Sequence, residues 1–329
     1  MPHDRLVKWV FTRPEAAAVQ LRQALPSVLV DRLDWSTIAV QPGSYVDQEL
    51  EERHSDVLYS VNFRESSSSA LVYVLAEHQS SPDRMMAWRL FEYSSRVWSR
   101  YVRQQPEPVR HLPLLIPLLL YQGPNGCTQP RRLSELIDMP DSLRGCFESP
   151  IELSFEVDEF NASVLSDRRG RDGIAALVEI ARSLLRLAFH PNEITRERLA
   201  PLAPLFDEVM SALGVDDIHA LWTYVISVFP PQSPMRSILS TITSPEQQHM
   251  YATIYDEAIA KGIAKGVEQG RVRTQVAMVL RVLDKRGLAL SDAQRQRVQA
   301  CSDETQLDEW FDRALTATTA DEVFSPAGE

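Results

Sequence analysis

An α/β core followed by a mainly helical remainder is the fold class that the sequence predicts, and three observations predict it. Apolar runs of strand length, Val57–Phe63, Leu71–Ala76 and Leu114–Tyr121, all fall in the first half of the chain. A segment with helical spacing, from Met85 to Tyr101, separates the second run from the third. Beyond about Phe160 the strand-like runs stop, and apolar positions recur at three- and four-residue intervals. Strand, strand, helix, strand is the order of an α/β layer, with an initial helix to cover the other face.

The elements follow in order. Asp4 to Ala24 mixes apolar and charged positions at helical spacing; Pro14 interrupts it and Pro26 closes it. A turn-rich passage through Pro42 and Gly43 leads to Asp56, which opens the first strand. The polar run Ser66–Ser69 connects it to a second strand that starts at Leu71 and ends near Gln79, so the two form a hairpin. Ser81-Pro82-Asp83 supplies a turn and helix entry. Trp88, Tyr93 and Trp98 on that helix read as core residues in preference to base-stacking platforms. Leu114–Tyr121 ends at the turn signal Gln122-Gly123-Pro124-Asn125-Gly126. Helices are expected at Ile174–Phe189, Leu199–Leu213 and Ile218–Phe229, with a break at Pro230–Pro234. A further helical segment, in which Gly262, Gly266 and Gly270 recur every four positions, continues through Val276 to Leu283 and suits an interaction module, a hinge or a flexible connector. Three regions are expected: a core at 1–160, a helical extension at 161–250 and a helical C-terminal domain or interaction module at 251–329.

Composition bounds the function. With 329 residues, 44% of them apolar, the chain can bury a substantial core. Cys127, Cys146 and Cys301 are widely spaced and fit neither a zinc site nor a disulfide framework, so a reduced, cytoplasmic protein is the simplest reading. The first residues lack the apolar core of a secretory signal, and the best membrane candidate, near Leu112–Tyr121, is too short and contains Pro113 and Pro117. A formal net charge of −11 argues against an extended nucleic-acid coat but leaves room for a local groove. Arg84, Arg89, Arg96, Arg100 and Arg103 recur along one helix, and Arg131 and Arg132 form a smaller basic group. Of these, Arg84, Arg89 and Arg96 are the DNA-binding candidates. No stretch resembles a phosphate-cradling nucleotide loop, so no nucleotide cofactor is expected.

The chemistry concentrates at Asp56, Glu77 and Gln79. A strand alternates its faces, so Glu77 and Gln79 project to one side and His78 to the other. If Asp56 begins the neighbouring antiparallel strand, two carboxylates and an amide converge at one end of the sheet. Oxygen ligands of this kind hold a hard divalent cation, which phosphodiester hydrolysis uses. The blander alternative is that Asp56 caps a turn while Glu77 and Gln79 finish an exposed strand. Asp47, Glu49 and Glu51 read as a solvated acidic face, and His3 and Asp4 as residues that secure the first helix. Arg89 is balanced between phosphate contact and an ion pair within the protein.

His3-Asp4, Ser55-Asp56-Val57-Leu58-Tyr59, Ala76-Glu77-His78-Gln79-Ser80, Arg89-Leu90-Phe91-Glu92-Tyr93 and Pro117-Leu118-Leu119-Leu120-Tyr121-Gln122-Gly123 occur in this order. Together they resemble the recombination-promoting nuclease (Rpn) family, often labelled transposases, within the PD-(D/E)XK nuclease superfamily. The resemblance covers roughly residues 3 to 230. Leu307–Asp312 and Thr319–Phe324 resemble a small helical domain attached to many such proteins. The resemblance implies a mixed-sheet, restriction-endonuclease-like core flanked by helices, and a Mg²⁺-dependent DNA endonuclease in which Mn²⁺ can substitute. Asp56 and Glu77 match the metal-binding acidic residues. Gln79 takes the position usually held by the superfamily lysine, and supplies hydrogen bonds without the positive charge. DNA is the expected partner, with a homo-oligomer open and no membrane. Two other functions fit the same residues: a catalytically weakened DNA-binding protein, or a protein-interaction module derived from the nuclease fold.

Overall fold

Proline sets the first boundary in the fold. In the computed structural model, the residues described are 2–41, 57–65, 69–77, 83–106, 108–123, 126–138, 140, 142, 152–160 and 173–325, with 69 and 73–77 described as backbone positions only. Helix α1 (Pro2–Phe11) stops before Pro14, which begins α2 (Pro14–Ala24) from its first turn, where its missing N–H costs nothing. A short α3 (Ser27–Val30) leads into the sheet.

The sheet has five strands in the spatial order β1 (Leu33–Val40), β2 (Val57–Phe63), β3 (Ser69–Glu77), β4 (Leu114–Tyr121) and β5 (Glu156–Asp158). The first three pair antiparallel, while β3 with β4 and β4 with β5 pair parallel, so the sheet is mixed. Helix α4 (Met86–Gln104) carries the chain from β3 back to the start of β4. Strand β1 lies in a stretch that reads as turn-rich. Its register shifts between Asp34 and Ala39, and Asp34 Oδ1 accepts from the Ser36 N–H at 3.1 Å and from Ser36 Oγ at 2.6 Å. Such local bonds compete with the ladder and blur the alternation by which a strand is recognised.

Alternation sorts the central strands into two cores. Val57, Tyr59, Val61, Ala70, Val72, Leu118 and Leu120 pack on one face, with α1, α2 and the helices between Gly173 and Ile254. Leu58, Leu71, Leu119 and Tyr121 pack on the other, against Met86, Ala87, Leu90, Tyr93 and Val97 of α4. Trp88, expected with this core, is instead 47% exposed, because its side of α4 turns from the sheet. Trp98 is partly buried and donates its indole N–H to the Pro113 carbonyl at 3.1 Å.

The helical layer continues with α5 (Gly173–Phe189), α6 (Arg196–Leu199), α7 (Ala203–Leu213), α8 (Val215–Val228), α9 (Pro234–Ile242) and the long α10 (Pro245–Lys285). Contacts divide the chain into two compact units, Met1–Ile254 and Tyr255–Glu329, and the division falls within α10. The second unit has its own core. Val279 and Leu283 of α10 pack with Val298 of α11 (Asp292–Ala300), with Leu307, Trp310 and Ala314 of α12 (Glu304–Thr316), and with Val323 and Phe324 of α13 (Ala320–Phe324). Ser291 and Gln294 form a reciprocal capping box at α11, and Asp303 caps α12 through the N–H groups of Thr305 and Gln306. No helix among the described residues is long and apolar enough to cross a membrane.

Candidate functional site

The parallel pairing of β3 with β4 creates the edge where a site can form. Leu71 to Glu77 run in register with Leu115 to Tyr121, so both strands finish at the same end of the sheet, with Glu77 level with Tyr121. Strand β2 enters from that end, its first residue Val57 opposite Val74. Helix α4 is the next described element after β3, and Met86 and Ala87 at its start share a core with Leu119 and Tyr121 of β4. In α/β sheets the carboxyl ends of parallel strands, where backbone groups and helix starts converge, form the usual ligand crevice.

Glu77 therefore occupies the last backbone position of β3 at this edge. Asp56 immediately precedes β2 in sequence, but Asp56 and Gln79 lie outside the described residues, as do His78, Asp47, Glu49 and Glu51. Among the described residues, no group of three or more His, Cys, Asp or Glu side chains is placed to hold a metal ion. The sequence-predicted donors are two carboxylates and an amide, an oxygen set whose chemistry fits a hard divalent cation.

Close packing beneath the edge is resolved. Met86 and Ala87, at the start of α4, are fully buried, and Leu119 and Tyr121 from β4 join them. Gly123 is required just beyond the strand: a Cβ there would stand 2.1 Å from Tyr121 Oη. Asp83 organises the entry to α4, accepting from the Met85 N–H at 2.8 Å and from Arg89 Nη1 at 3.0 Å. Arg96 Nη2 donates to Glu92 Oε1 at 2.7 Å, and Arg84 is exposed ahead of the helix. Both Arg89 and Arg96 thus have acidic partners within α4 and its entry.

A buried polar cluster beside β4 escaped the sequence reading. Asp158 on β5 lies in register with Leu120 and accepts two hydrogen bonds from Arg182 of α5, at 2.5 and 3.2 Å. Gln20 of α2 donates to Asp158 at 2.5 Å and accepts from Arg182 at 2.6 Å. The Asp158 carboxylate also accepts from the Phe160 N–H at 2.8 Å, and the guanidinium lies over the Phe160 ring. Phe160 holds a left-handed φ of 56°, a conformation that this bond and the ring contact help maintain. Next to it, Glu159 Oε1 accepts from the Cys127 N–H at 2.7 Å and so ties down the chain after β4. Arg182, one of two arginines within the apolar run of α5, is the one signal the sequence offers; nothing local identifies its partners 24 and 162 residues away.

Two other candidates have structural explanations. His3 Nδ1 lies 2.8 Å from the Tyr224 hydroxyl, and its ring packs against Phe189, which locks α1 to the later helices. Burial pushes the Tyr224 hydroxyl well above its ordinary range, so it stays protonated. Burial likewise pushes the Cys127 thiol up, chiefly through desolvation, which disfavours the nucleophilic thiolate.

Comparison with known proteins then decides the lineage. Residues 1–188 match the family described as "Putative transposase, YhgA-like". The chain belongs to this family. It is 38% identical over 122 residues to recombination-promoting nuclease RpnD of Escherichia coli O157:H7, covering 37% of this chain and 45% of that protein. It is 32% identical over 156 residues to recombination-promoting nuclease RpnC of Escherichia coli K12, covering 46% and 49%. It is also 34% identical over 122 residues to the inactive recombination-promoting nuclease-like protein RpnE of that strain, covering 37% and 39%. The matched stretch thus spans half or less of each of these relatives. No solved structure matches. Family membership and the helix-flanked mixed sheet agree with the PD-(D/E)XK nuclease superfamily.

Proposed function

We propose that the protein acts on DNA at the edge where β3 and β4 end, as a metal-dependent endonuclease hydrolysing phosphodiester bonds in recombination or mobile-element biology. The observation that carries this reading is Glu77 at the carboxyl end of β3, beside a parallel partner strand, in a chain that belongs to a family with named nucleases. Asp56 and Glu77 would hold Mg²⁺, or Mn²⁺ in its place, through carboxylate oxygens. A cation so held supplies electrophilic polarisation of the phosphate and acidification of a bound water. Gln79 contributes a neutral amide: its N–H groups donate to phosphate or water and its oxygen accepts a water proton. It cannot offset developing negative charge as lysine does, so the catalytic demand falls on the carboxylates. Arg84, Arg89 and Arg96, on or just before α4, would contact DNA phosphates, with Arg89 and Arg96 exchanging their acidic partners for the backbone.

A second reading rests on a specific observation. RpnE, named as inactive, is as similar to this chain as relatives named as nucleases, so membership alone leaves the chemistry undecided. In that reading Gln79 marks a weakened site, and the edge binds DNA, or a protein partner, without cutting. A time course with supercoiled and linear DNA separates the readings. Wild type and Glu77→Ala are compared in Mg²⁺, Mn²⁺ and EDTA, with DNA binding followed in parallel by fluorescence anisotropy. Metal-dependent nicking lost in Glu77→Ala supports hydrolysis. Binding without nicking in either metal supports the weakened site, and loss of both overturns the DNA reading.

A further inference from the structure

We propose that the groove between α1 and α8 is a nucleic-acid contact separate from the β3–β4 edge, and that it takes one base of a single strand against Trp9. Arg5, Leu6 and Trp9 follow one another at helical spacing and share one face of α1, and His219, Thr223 and Ser227 do the same on α8. The two faces line a groove of about 230 Å³. Leu6 and Tyr224 are its buried members, and Trp9 borders it while 42% exposed. The volume falls below the roughly 300–1,000 Å³ of sites for larger small molecules, so it suits one ring system.

A singly exposed tryptophan needs no explanation, but one held in place does. Trp9 donates its indole N–H to Asp217 Oδ1 at 2.8 Å, and the same oxygen pairs with Arg13 Nη2 at 2.6 Å. Arg13 in turn lies over the indole ring, 5.2 Å from its centroid. Asp217 is 4% exposed, so a buried carboxylate is committed to orienting a ring that the fold leaves in solvent. Ordering a side chain costs entropy, and here little burial offsets it. A ring fixed before the ligand arrives lets a base stack without that cost at the moment of binding.

Charge selects the occupant. Arg5, one turn before Trp9 on the same face, is exposed and makes no ion pair among the described residues. His219 is exposed on the opposite wall, with Nδ1 at 3.4 Å from Thr223 Oγ1. Ser227 donates its hydroxyl to the Thr223 carbonyl at 2.7 Å, which leaves its oxygen as an acceptor. Among the described residues no carboxylate lines the groove. A fixed aromatic platform beside an uncommitted guanidinium is the chemistry that stacks a base and meets its phosphate, and it tolerates any base. The walls are exposed, so a strand can continue beyond the base that the groove holds. A free nucleotide would find no glycine-rich cradle for its phosphate. The groove uses other elements than the β3–β4 edge and needs no cleavage, so failure of either reading leaves the other standing.

The test is fluorescence anisotropy of a short labelled oligothymidylate on the full chain in EDTA, where no bound cation contributes. Wild type is expected to bind, and Trp9→Ala to weaken binding by about tenfold or more. Arg5→Glu should also weaken it and lower the salt dependence by about one phosphate contact. Glu77→Ala should bind no more weakly than wild type. Circular dichroism checks that each variant keeps its fold; should Trp9→Ala fail to fold, Arg5→Glu, at the surface, carries the test. A wild type that does not bind the strand, or binding indifferent to Trp9→Ala and Arg5→Glu, overturns the groove, as does binding lost in Glu77→Ala. Thymidine monophosphate that competes as well as the oligonucleotide, at equal nucleotide concentration, overturns the strand as the occupant.

Discussion

Helix Gly173–Phe189 and the segment 256–271 are similar in length and opposite in circumstance. The first buries most of its surface, including Ala176, Leu177, Ile180, Ala181, Leu184 and Leu185; the second buries nothing. Their glycines show the same contrast. A Cβ on Gly173 would stand 2.5 Å from Ala212 Cβ, whereas one on Gly266 would meet open space. Their charges differ too, since Arg182 is sunk to 2% exposure and held by Asp158 and Gln20, while the charges of the second segment are hydrated. In one helix tertiary packing dictates each residue. In the other the sequence carries apolar and glycine positions for which the described residues supply no partner.

The sharpest way to break this comparison is at the buried ion pair. Asp158→Ala should destabilise the protein by about 3–5 kcal/mol, because it leaves the Arg182 guanidinium uncompensated in the interior. Urea denaturation of Asp158→Ala against Asp158→Leu/Arg182→Met checks it; the double variant should recover much of the loss, and a single variant as stable as wild type would refute the account. Next in size is Gly173→Ala, expected to cost about 1–3 kcal/mol by forcing α5 from α7, read as a lowered urea midpoint with an unchanged slope. The smallest effect has the opposite sign. Gly266→Ala should stabilise the helix by up to about 1 kcal/mol, through propensity alone, and be seen as a raised urea midpoint.

Parts of the fold were readable because they depend on near neighbours. Pro14 divides α1 from α2 whatever surrounds it, and the apolar runs 57–63 and 114–121 contain their own strand signal. Strand β1 was less legible, because Asp34 and Ser36 place turn chemistry inside it. The segment containing Gly262, Gly266 and Gly270 reads as helical despite the low propensity of its glycines, and it lies within a helix of 41 residues. At the candidate site the sequence supplied the donor types at 56, 77 and 79, while the structure supplied the strand order around position 77. Asp158 was invisible to this reading, since neither Gln20 nor Arg182 is near it in sequence.

The sequence by itself determined the α/β core, the helical remainder and the order of motifs that resembles the nuclease family, because periodicity and composition are properties of short segments. Only the tertiary structure decided that β3 and β4 run parallel and finish together, that Asp158, Arg182 and Gln20 meet in the interior, and that Ile259, Ile263 and Val267 lie exposed. Those outcomes depend on which distant surfaces meet and exclude water, and local propensity contains no term for that encounter.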